Sequence, residues 1–207
     1  MALHPLYAPL KRGMDIAGAL FIGAVGWPLI VGSACAVRWS MGGPVLFTQH
    51  RAGRHGQPFV IYKLRTMRDA VDAQGRPLPD AERITSVGRL LRKTSLDELP
   101  QLLNILRGDM SLVGPRPLPV RYLDRYSKEQ ARRHEVRPGL TGWAQVQGRS
   151  SVPWSDKFCY DVWYVEHVSL LTDLQILALT VAKVIKGSDT FGVGNEEFWG
   201  TQAPPQS

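Results

Sequence analysis

The sequence has little cysteine and no cysteine–histidine spacing that resembles a zinc site. Its 207 residues include two cysteines, Cys35 and Cys159, which cannot form a disulfide framework. The hydrophobic fraction of 44% and the charged fraction of 21% are ordinary for a folded protein and exclude a disordered, low-complexity chain. The length predicts one sizeable domain, or one domain with an appendage.

Acidic residues are outnumbered, and the imbalance is local. The chain has 25 Lys and Arg against 18 Asp and Glu, a net charge of +7. Residues 38–68 contain six basic residues and no acid, whereas residues 149–207 contain four basic and seven acidic ones. The excess predicts an anionic partner, which composition leaves open among phosphates, nucleic acid and an acidic membrane surface.

Charge is missing altogether from residues 16–37. A helix of this length spans about 33 Å, enough to cross the hydrocarbon core of a bilayer. The run is too long for the apolar stretch of a signal peptide. A single-pass helix fits the length, but basic residues flank both ends and Pro28 lies mid-run. A helix that bends at Pro28 and returns to the side it came from satisfies both of these features, and a buried helix of a soluble protein stays open.

The remaining patterns predict an α+β protein that is mainly helical. Two apolar runs within residues 44–67 predict a β-hairpin. Polar residues 69–83 predict a surface loop, and the proline-rich GDMSLVGPRPLP predicts a stiff irregular one. Helices are predicted over residues 84–93, 96–107, 122–136 (a charged surface helix), 155–166 and 170–186. The tail beyond residue 187 is expected to be weakly ordered.

Asp97 and Glu98 form an adjacent acid pair with two interpretations. Ser95 and Glu98 have the spacing of a capping box, although Pro100 would then forfeit a hydrogen bond inside the helix. Alternatively, an acid pair in the first turn of a helix can hold Mg²⁺, and one carboxylate oxygen can attack phosphorus. The residues alone leave both open.

Several cations are expected near that pair. Lys63 and Arg65 alternate along a predicted strand and so project from one face. Arg92 belongs to a basic segment just before the pair, and Arg116 lies in the proline-rich loop. Each alone is typical of a surface charge, but together they favour an anion site.

Three motifs carry a resemblance over about residues 8–190. In order they are YKLRTM, GRLLRKTSLDELPQLLNILRGDMSLVGPRPLP and RPGLTGWAQVQGR. The chain resembles the monotopic polyprenyl-phosphate phosphoglycosyl transferases, the bacterial initiating sugar transferases. The resemblance implies Mg²⁺-dependent transfer of a sugar-1-phosphate from a UDP-sugar to polyprenyl phosphate, with release of UMP. This is the first membrane step of glycan assembly, and no motif names the sugar.

The resemblance also implies roles for individual residues. Asp97 matches the nucleophile that forms an aspartyl phosphosugar, and Glu98 matches a Mg²⁺ ligand or general base. Arg92 matches a phosphate-binding arginine, and Arg116 the nucleotide side. The further candidates are Lys63 and Arg65 in the phosphate pocket and Asp173 as a uridine contact.

A monotopic architecture follows from the same resemblance. Residues 1–40 are expected to form a re-entrant membrane helix broken at Pro28, where Trp27 replaces the serine common in the family. Residues 41–190 would be the catalytic domain, with amphipathic interfacial helices around a cytoplasmic active site, and residues 191–207 a tail. The enzyme would lie on the cytoplasmic face of the bacterial inner membrane, in contact with membrane lipid. A homodimer is left open, and nucleic acid is not an expected partner.

Two alternatives define the limits of this interpretation. The polytopic transferases that make similar lipid products need many spanning helices, and this chain has one long apolar run. A membrane-anchored basic module that binds anionic lipid or nucleic acid would explain residues 38–68. Against the module, the paired acids would repel a polyanion and no nucleic-acid motif is present.

Overall fold

The computed structural model describes residues 7–147, 152–185 and 198–200, in which helices dominate and strands are few. The eight α-helices of these residues are α1 (Tyr7–Met41), α2 (Asp80–Arg83), α3 (Ser86–Thr94), α4 (Leu102–Arg107), α5 (Lys128–Ala131), α6 (Trp143–Gln147), α7 (Trp154–Glu166) and α8 (Leu170–Ile185). The four strands are β1 (Leu46–Ala52), β2 (Pro58–Leu64), β3 (Ser111–Val113) and β4 (Gly139–Thr141). The predicted α+β, mainly helical class is confirmed.

The predicted hairpin is confirmed by the antiparallel pair β1–β2. Its register runs from Leu46 opposite Leu64 to Ala52 opposite Pro58. The turn places His55 and Gly56 at φ of 55° and 74°, which glycine adopts without steric cost and other residues rarely adopt.

The short parallel pair β3–β4 brings the proline-rich loop back against the chain that follows it. Ser111 pairs with Gly139 and Val113 with Thr141. A Cβ atom added at Gly139 would lie 2.1 Å from the backbone nitrogen of Gly114. Only glycine permits this close approach, which fixes where the loop after β3 begins.

The main core lies between α1, the hairpin and the C-terminal helices. Its fully buried members include Ile105, Met110, Val113, Tyr164 and Ile176. A second cluster of Val37, Leu64 and Leu91 packs the C-terminal part of α1 against β2 and α3. The core therefore ties α1 to the rest of the fold at more than one place.

The helix α1 is long, apolar and largely uncovered. It contains an 18-residue window of mean hydropathy 2.0 of which 11% is buried, so it is long and apolar enough to cross a membrane. Helix geometry continues through Pro28. The predicted break at Pro28 is not tested by this and stays a prediction, as do the domain boundaries at residues 40 and 190.

Two predicted helices differ from the observed chain. Residues 96–107 form a 3-10 turn, Leu96–Gln101, followed by α4, because Pro100 cannot donate the hydrogen bond an α-helix would need there. The predicted surface helix 122–136 is wrong: it consists of 3-10 segments at Val120–Arg125 and Arg132–Glu135 with α5 between them, and Arg133 is buried. The other helices agree within a few residues, the last ending its described part at Ile185.

The tail prediction falls mostly outside the described residues. Phe198 is described, and its ring packs among Tyr122, Tyr126, Trp154 and Phe158. The described part of the tail, residues 198–200, therefore packs on the fold.

Candidate active site

The acid pair lies where α3 ends and the chain turns sharply. Ser95 adopts the left-handed conformation, with φ of 57°, and its N–H donates to the carbonyl of Arg92. Its side chain makes no capping hydrogen bond to the following turn. The capping-box interpretation of Ser95 and Glu98 is therefore wrong. The chain has a capping box elsewhere, at Ser127 and Gln130.

Glu98 is held by two cations from separate elements. Lys63 Nζ, on β2, lies 2.7 Å from Glu98 Oε1, and Arg116 Nη2 lies 2.5 Å from the same oxygen. Arg116 Nη1 lies 3.4 Å from Glu98 Oε2. Glu98, which could have capped a helix, instead links the turn that carries the acid pair to the hairpin and to the proline-rich loop.

Asp97 is buried, only 7% exposed, and makes no hydrogen bond or ion pair within the described residues. Burial, reinforced by the neighbouring charge of Glu98, raises the pKa of Asp97 to about 6, while Lys63, Arg116 and Arg92 oppose the rise. The result is a carboxylate that is mostly ionised at neutral pH and that keeps both oxygens available.

Glu98 shifts in the opposite direction. Burial alone would raise its pKa, but the charges and hydrogen bonds of Arg116 and Lys63 outweigh burial and lower the pKa below its ordinary value. The pKa of Lys63 is lowered by burial, against the attraction of Glu98. The pKa values of the two adjacent acids are thus shifted in opposite directions, a pattern typical of acid pairs in active sites.

Arg92 borders the site through a close helix–strand contact. A Cβ atom at Gly88 would lie 2.0 Å from the carbonyl oxygen of Thr66, so α3 packs directly on the chain after β2. Arg92 Nε donates to Thr66 Oγ1 at 2.9 Å. Its other guanidinium nitrogens have no hydrogen bond within the described residues, so they can still meet an anion.

The structure does not bring Arg65 into this cluster. Arg65 lies one residue beyond β2, and its guanidinium donates to the carbonyls of Gly43 and Met67 and to Asp69. The expectation that Lys63 and Arg65 serve one pocket is thus not supported, because only Lys63 reaches the acid pair.

Asp173 lies in a different cluster, which argues against the predicted uridine contact. Its carboxylate is 2% exposed and accepts hydrogen bonds from Tyr7, Lys11 and Tyr164. With both oxygens occupied by protein donors, Asp173 clamps the start of α1 to α7 and α8.

Arg51 was not among the predicted site residues, although it contacts the proline-rich loop beside the acid pair. Its Nη1 donates to the carbonyl of Pro117 at 3.3 Å, and its Nε is buried without a hydrogen bond. Burial, and then the nearby charge of Arg116, lower the pKa of Arg51 to about 10. Its place in the basic stretch 38–68 was visible in the sequence, but its contact with a loop 66 residues away was not.

The side chains around Asp97 show whether this region fits a Mg²⁺ ion. Within the described residues no three or more His, Cys, Asp or Glu side chains cluster as a metal site. Mg²⁺ commonly binds through one or two carboxylates together with substrate phosphates and water. The free carboxylate of Asp97, beside Glu98, fits an ion that shares its ligands with a bound diphosphate.

Comparison with known proteins gives evidence that is independent of this geometry. The sequence model described as bacterial sugar transferase matches residues 6–187. The chain is 54% identical over 176 residues to the "Uncharacterized sugar transferase EpsL" of Bacillus subtilis (strain 168), covering 85% of this chain and 87% of that one. It is 42% identical to the "UDP-glucose:undecaprenyl-phosphate glucose-1-phosphate transferase" of Caulobacter vibrioides (strain ATCC 19089 / CIP 103742 / CB 15), covering 87% of this chain and 72% of that one.

Another relative is considerably longer. The "UDP-N-acetylgalactosamine-undecaprenyl-phosphate N-acetylgalactosaminephosphotransferase" of Aeromonas hydrophila is 38% identical over 191 residues, which cover 88% of this chain and 45% of that protein. The chain therefore spans less than half of this relative. The sugars also differ, with glucose in the name of the Caulobacter relative and N-acetylgalactosamine in that of the Aeromonas relative.

Proposed function

The chain belongs to the bacterial sugar transferase family, and on that premise we propose that it transfers a sugar-1-phosphate from a UDP-sugar to polyprenyl (undecaprenyl) phosphate and releases UMP. The observation that carries the proposal is Asp97, a buried carboxylate without a protein partner beside a cation-held Glu98. The relatives named for a reaction of this kind act on undecaprenyl phosphate. The reaction would begin a membrane-bound glycan, such as an exopolysaccharide, capsule or O-antigen.

The chemistry divides into two displacements at one phosphorus. An oxygen of Asp97 attacks the sugar-bearing phosphorus, the bond to the UMP oxygen breaks, and the sugar-phosphate is held as an acyl phosphate. A phosphate oxygen of the polyprenyl phosphate then attacks the same phosphorus and releases Asp97 as a carboxylate. Because the pKa of Asp97 is about 6, the nucleophile needs no base at pH 7–8 and is more basic than an ordinary aspartate.

Glu98 serves this chemistry by its charge. Its lowered pKa makes it a poor proton acceptor, which argues against a general-base role while Lys63 and Arg116 hold it. By binding both cations, Glu98 keeps them beside Asp97 without neutralising Asp97 itself. An arriving diphosphate would find Lys63, Arg92 and Arg116 already placed, and phosphoryl transfer depends mainly on such positioning.

Asp97 is the residue that would hold Mg²⁺, together with the diphosphate of the donor, because Lys63 and Arg116 already bind both oxygens of Glu98. The bound ion would neutralise charge on the transferring phosphoryl group. The two negative charges of Asp97 and Glu98 are offset by the positive charges of Lys63 and Arg116. The metal ion would therefore bind together with the negatively charged donor.

We place the enzyme on one side of a membrane, because one globular body holds both ends of α1. Near its start, Arg12 donates to the carbonyls of Ile105 and Leu106, and Asp15 accepts from Ser111 and Leu112. Near its end, Val37 packs with Leu64 and Leu91. A bilayer core of about 30 Å cannot lie between two points fixed to the same body, so these contacts support both ends of α1 lying on one side of the membrane, which we propose is the cytoplasmic side.

An apolar surface is available for membrane lipid. The exposed apolar side chains on α1, α3, α4 and α8 include Leu20, Phe21, Val25, Trp27, Leu29, Leu90, Leu103, Leu171 and Leu174. Such a surface is typical of a protein that lies in the interfacial region. The basic-module alternative is less well supported, because Arg51, Arg54, Lys63 and Arg65 from residues 38–68 bind within the protein.

The membrane placement is testable by accessibility. After replacement of Cys35 and Cys159 by serine, single cysteines at the exposed positions Leu10 and Asp124 should both resist a membrane-impermeant thiol reagent in spheroplasts. Both should react after detergent is added, which serves as the control. Labelling of only the Leu10 position in intact spheroplasts would establish a spanning helix and contradict the proposal.

The transfer itself is tested by release of UMP. Purified protein in detergent is incubated with Mg²⁺, polyprenyl phosphate and each of a panel of UDP-sugars. One UDP-sugar should give UMP and a lipid-linked sugar in equal amounts. Asp97→Asn should give neither, while Asp124→Asn, an exposed aspartate, should match wild type. Absence of UMP with every donor, or release of UDP instead, would contradict the proposed reaction.

A further inference from the structure

A buried ion pair stands behind the proline-rich loop. Arg133 and Asp161 are 3% and 4% exposed, and Arg133 donates to Asp161 Oδ2 from Nε at 2.9 Å and from Nη2 at 2.7 Å. Tyr126 and Phe158 place their rings within 6 Å of the guanidinium. Burying two charges costs several kcal/mol per ion, and an apolar pair of similar size often stabilises a fold as well. Stability alone therefore does not explain the pair.

Arg133 makes one contact that an apolar residue could not make. Its Nη2 also donates to the backbone carbonyl of Arg116 at 2.7 Å. Arg116 is the residue whose guanidinium binds Glu98. The buried pair is thus connected through a single residue to the acid pair of the site.

The loop has few N–H groups, so most of its attachments to the rest of the fold are made through its carbonyls. Prolines at 115, 117 and 119 have no N–H, so the loop cannot form a regular hydrogen-bonded structure. Its carbonyls accept instead: Pro115 from Gly139, Pro117 from Arg51 and Leu118 from Ala52. Arg133 supplies the contact at Arg116, and Asp161 fixes the direction of that donor.

We propose that Arg133 and Asp161 are a positioning pair, which sets the backbone at Arg116 so that its guanidinium meets Glu98 and the substrate diphosphate. The proposal rests on the proposed function. Neither residue touches substrate, and both act through Arg116. Displacement of a substrate-binding group by about 1 Å can lower a rate about 100-fold, so loss of the contact should lower kcat/KM by about 10- to 100-fold.

The direct test is a double-mutant cycle between positions 133 and 116. Arg133→Lys can pair with Asp161, but its single nitrogen cannot reproduce the guanidinium geometry that also reaches the Arg116 carbonyl. Alone it should lower kcat/KM by about 10- to 100-fold. In an Arg116→Lys background it should change kcat/KM less than about threefold, because the group that it positions is already gone. Full multiplication of the two losses would overturn the proposal.

The neighbouring arginine supplies a matched control. Arg132 binds Glu129, Glu135 and Glu166 and makes no hydrogen bond to the loop within the described residues. Arg132→Lys should leave kcat/KM within about twofold of wild type. If Arg133→Lys fails to fold, Asp161→Asn can replace it in the double-mutant cycle. This variant keeps Arg133 but removes the charge that orients its guanidinium.

A second readout separates failure of this proposal from failure of the proposed function. Hydrogen exchange at the N–H groups of Ala52 and Gly139, which donate to the loop carbonyls of Leu118 and Pro115, should be faster in Arg133→Lys than in Arg132→Lys, whatever reaction the protein catalyses. Unchanged exchange would overturn the positioning role even in an active enzyme. If wild type transfers no sugar-phosphate but Arg133→Lys still shows the faster exchange, the proposed reaction is removed and Arg133 remains the residue that orders the loop.

Discussion

Two buried aspartates, Asp97 and Asp173, differ in what surrounds them. Asp173, on α8 beside the start of α1, accepts hydrogen bonds from two tyrosines and a lysine, so its charge is compensated within the fold. Asp97 is almost as buried, yet no protein group donates to it within the described residues, and its pKa rises to about 6. Removing one partner from a buried, paired carboxylate is costly to the fold, whereas a buried carboxylate without protein donors remains available for a substrate. From the sequence both were candidate site residues, Asp97 as the nucleophile and Asp173 as a uridine contact.

The largest expected effect separates the two aspartates by activity. Asp97→Asn should lower turnover by about 1,000-fold or more, because an amide cannot form the acyl phosphate. Initial rates of UMP release by folded, purified protein measure this loss. Near-normal turnover of the Asn variant would leave Asp97 without a chemical role.

The second largest expected effect is a loss of stability when Asp173 is replaced. Asp173→Asn leaves the ammonium of Lys11 without its counter-charge, at a cost of about 3–5 kcal/mol for a broken buried pair. Denaturant titration of the detergent-solubilised protein measures it. The matched control is Asp69→Asn, whose carboxylate is 78% exposed and pairs with Arg65, and which should cost about 0–1 kcal/mol. Equal costs at the two positions would contradict the clamp assigned to Asp173.

Arg116 tests whether the cations around Asp97 need a defined geometry. Arg116→Lys keeps the charge but loses the two-pronged contact with Glu98, and should cost about 2–4 kcal/mol in kcat/KM. Arg65→Lys is the control, since Arg65 binds Asp69 and two carbonyls away from the acid pair. If both variants lose activity equally, the distinction drawn between the two arginines fails.

The smallest expected effect is a gain in stability at Asp97. The folded-state pKa of about 6 lies above the unfolded value of 3.8, so ionised Asp97 destabilises the fold as pH rises through this window. Asp97→Asn should therefore be more stable than wild type by up to about 3 kcal/mol at pH 8, and the gain should vanish below pH 4. Thermal unfolding in EDTA at several pH values measures it. A variant less stable than wild type at pH 8 would show that Asp97 has a stabilising partner.

Local patterns predicted much of this fold and part of this site. The hairpin, the helix around Arg92, the end of α4 at Gly108 and the importance of the acid pair all follow from residues close in sequence. The capping box at Ser95 was a local pattern as well, and it was wrong because Lys63 and Arg116 provide stronger partners for Glu98 than a backbone N–H does.

What the sequence could not predict depends on distant partners. Lys11 meets Asp173 across 162 positions, and Arg133 meets Asp161 across 28. No periodicity records such pairs, so Asp173 was assigned to the nucleotide and Arg133 to a surface helix. Only the folded chain shows that both residues are buried and compensated.

The central claim is that the partnerless carboxylate of Asp97 forms a covalent bond to the sugar-phosphate. Intact-protein mass spectrometry after incubation with the active UDP-sugar and Mg²⁺, without polyprenyl phosphate, tests it directly. Wild type should gain the mass of one sugar-phosphate, the adduct should be lost with hydroxylamine, and its peptide should contain Asp97. Asp97→Asn should gain nothing, while Asp173→Asn that remains folded should still form the adduct. An adduct that persists in Asp97→Asn, or sugar-phosphate transfer without any adduct in rapid-quench samples of wild type, would contradict the account.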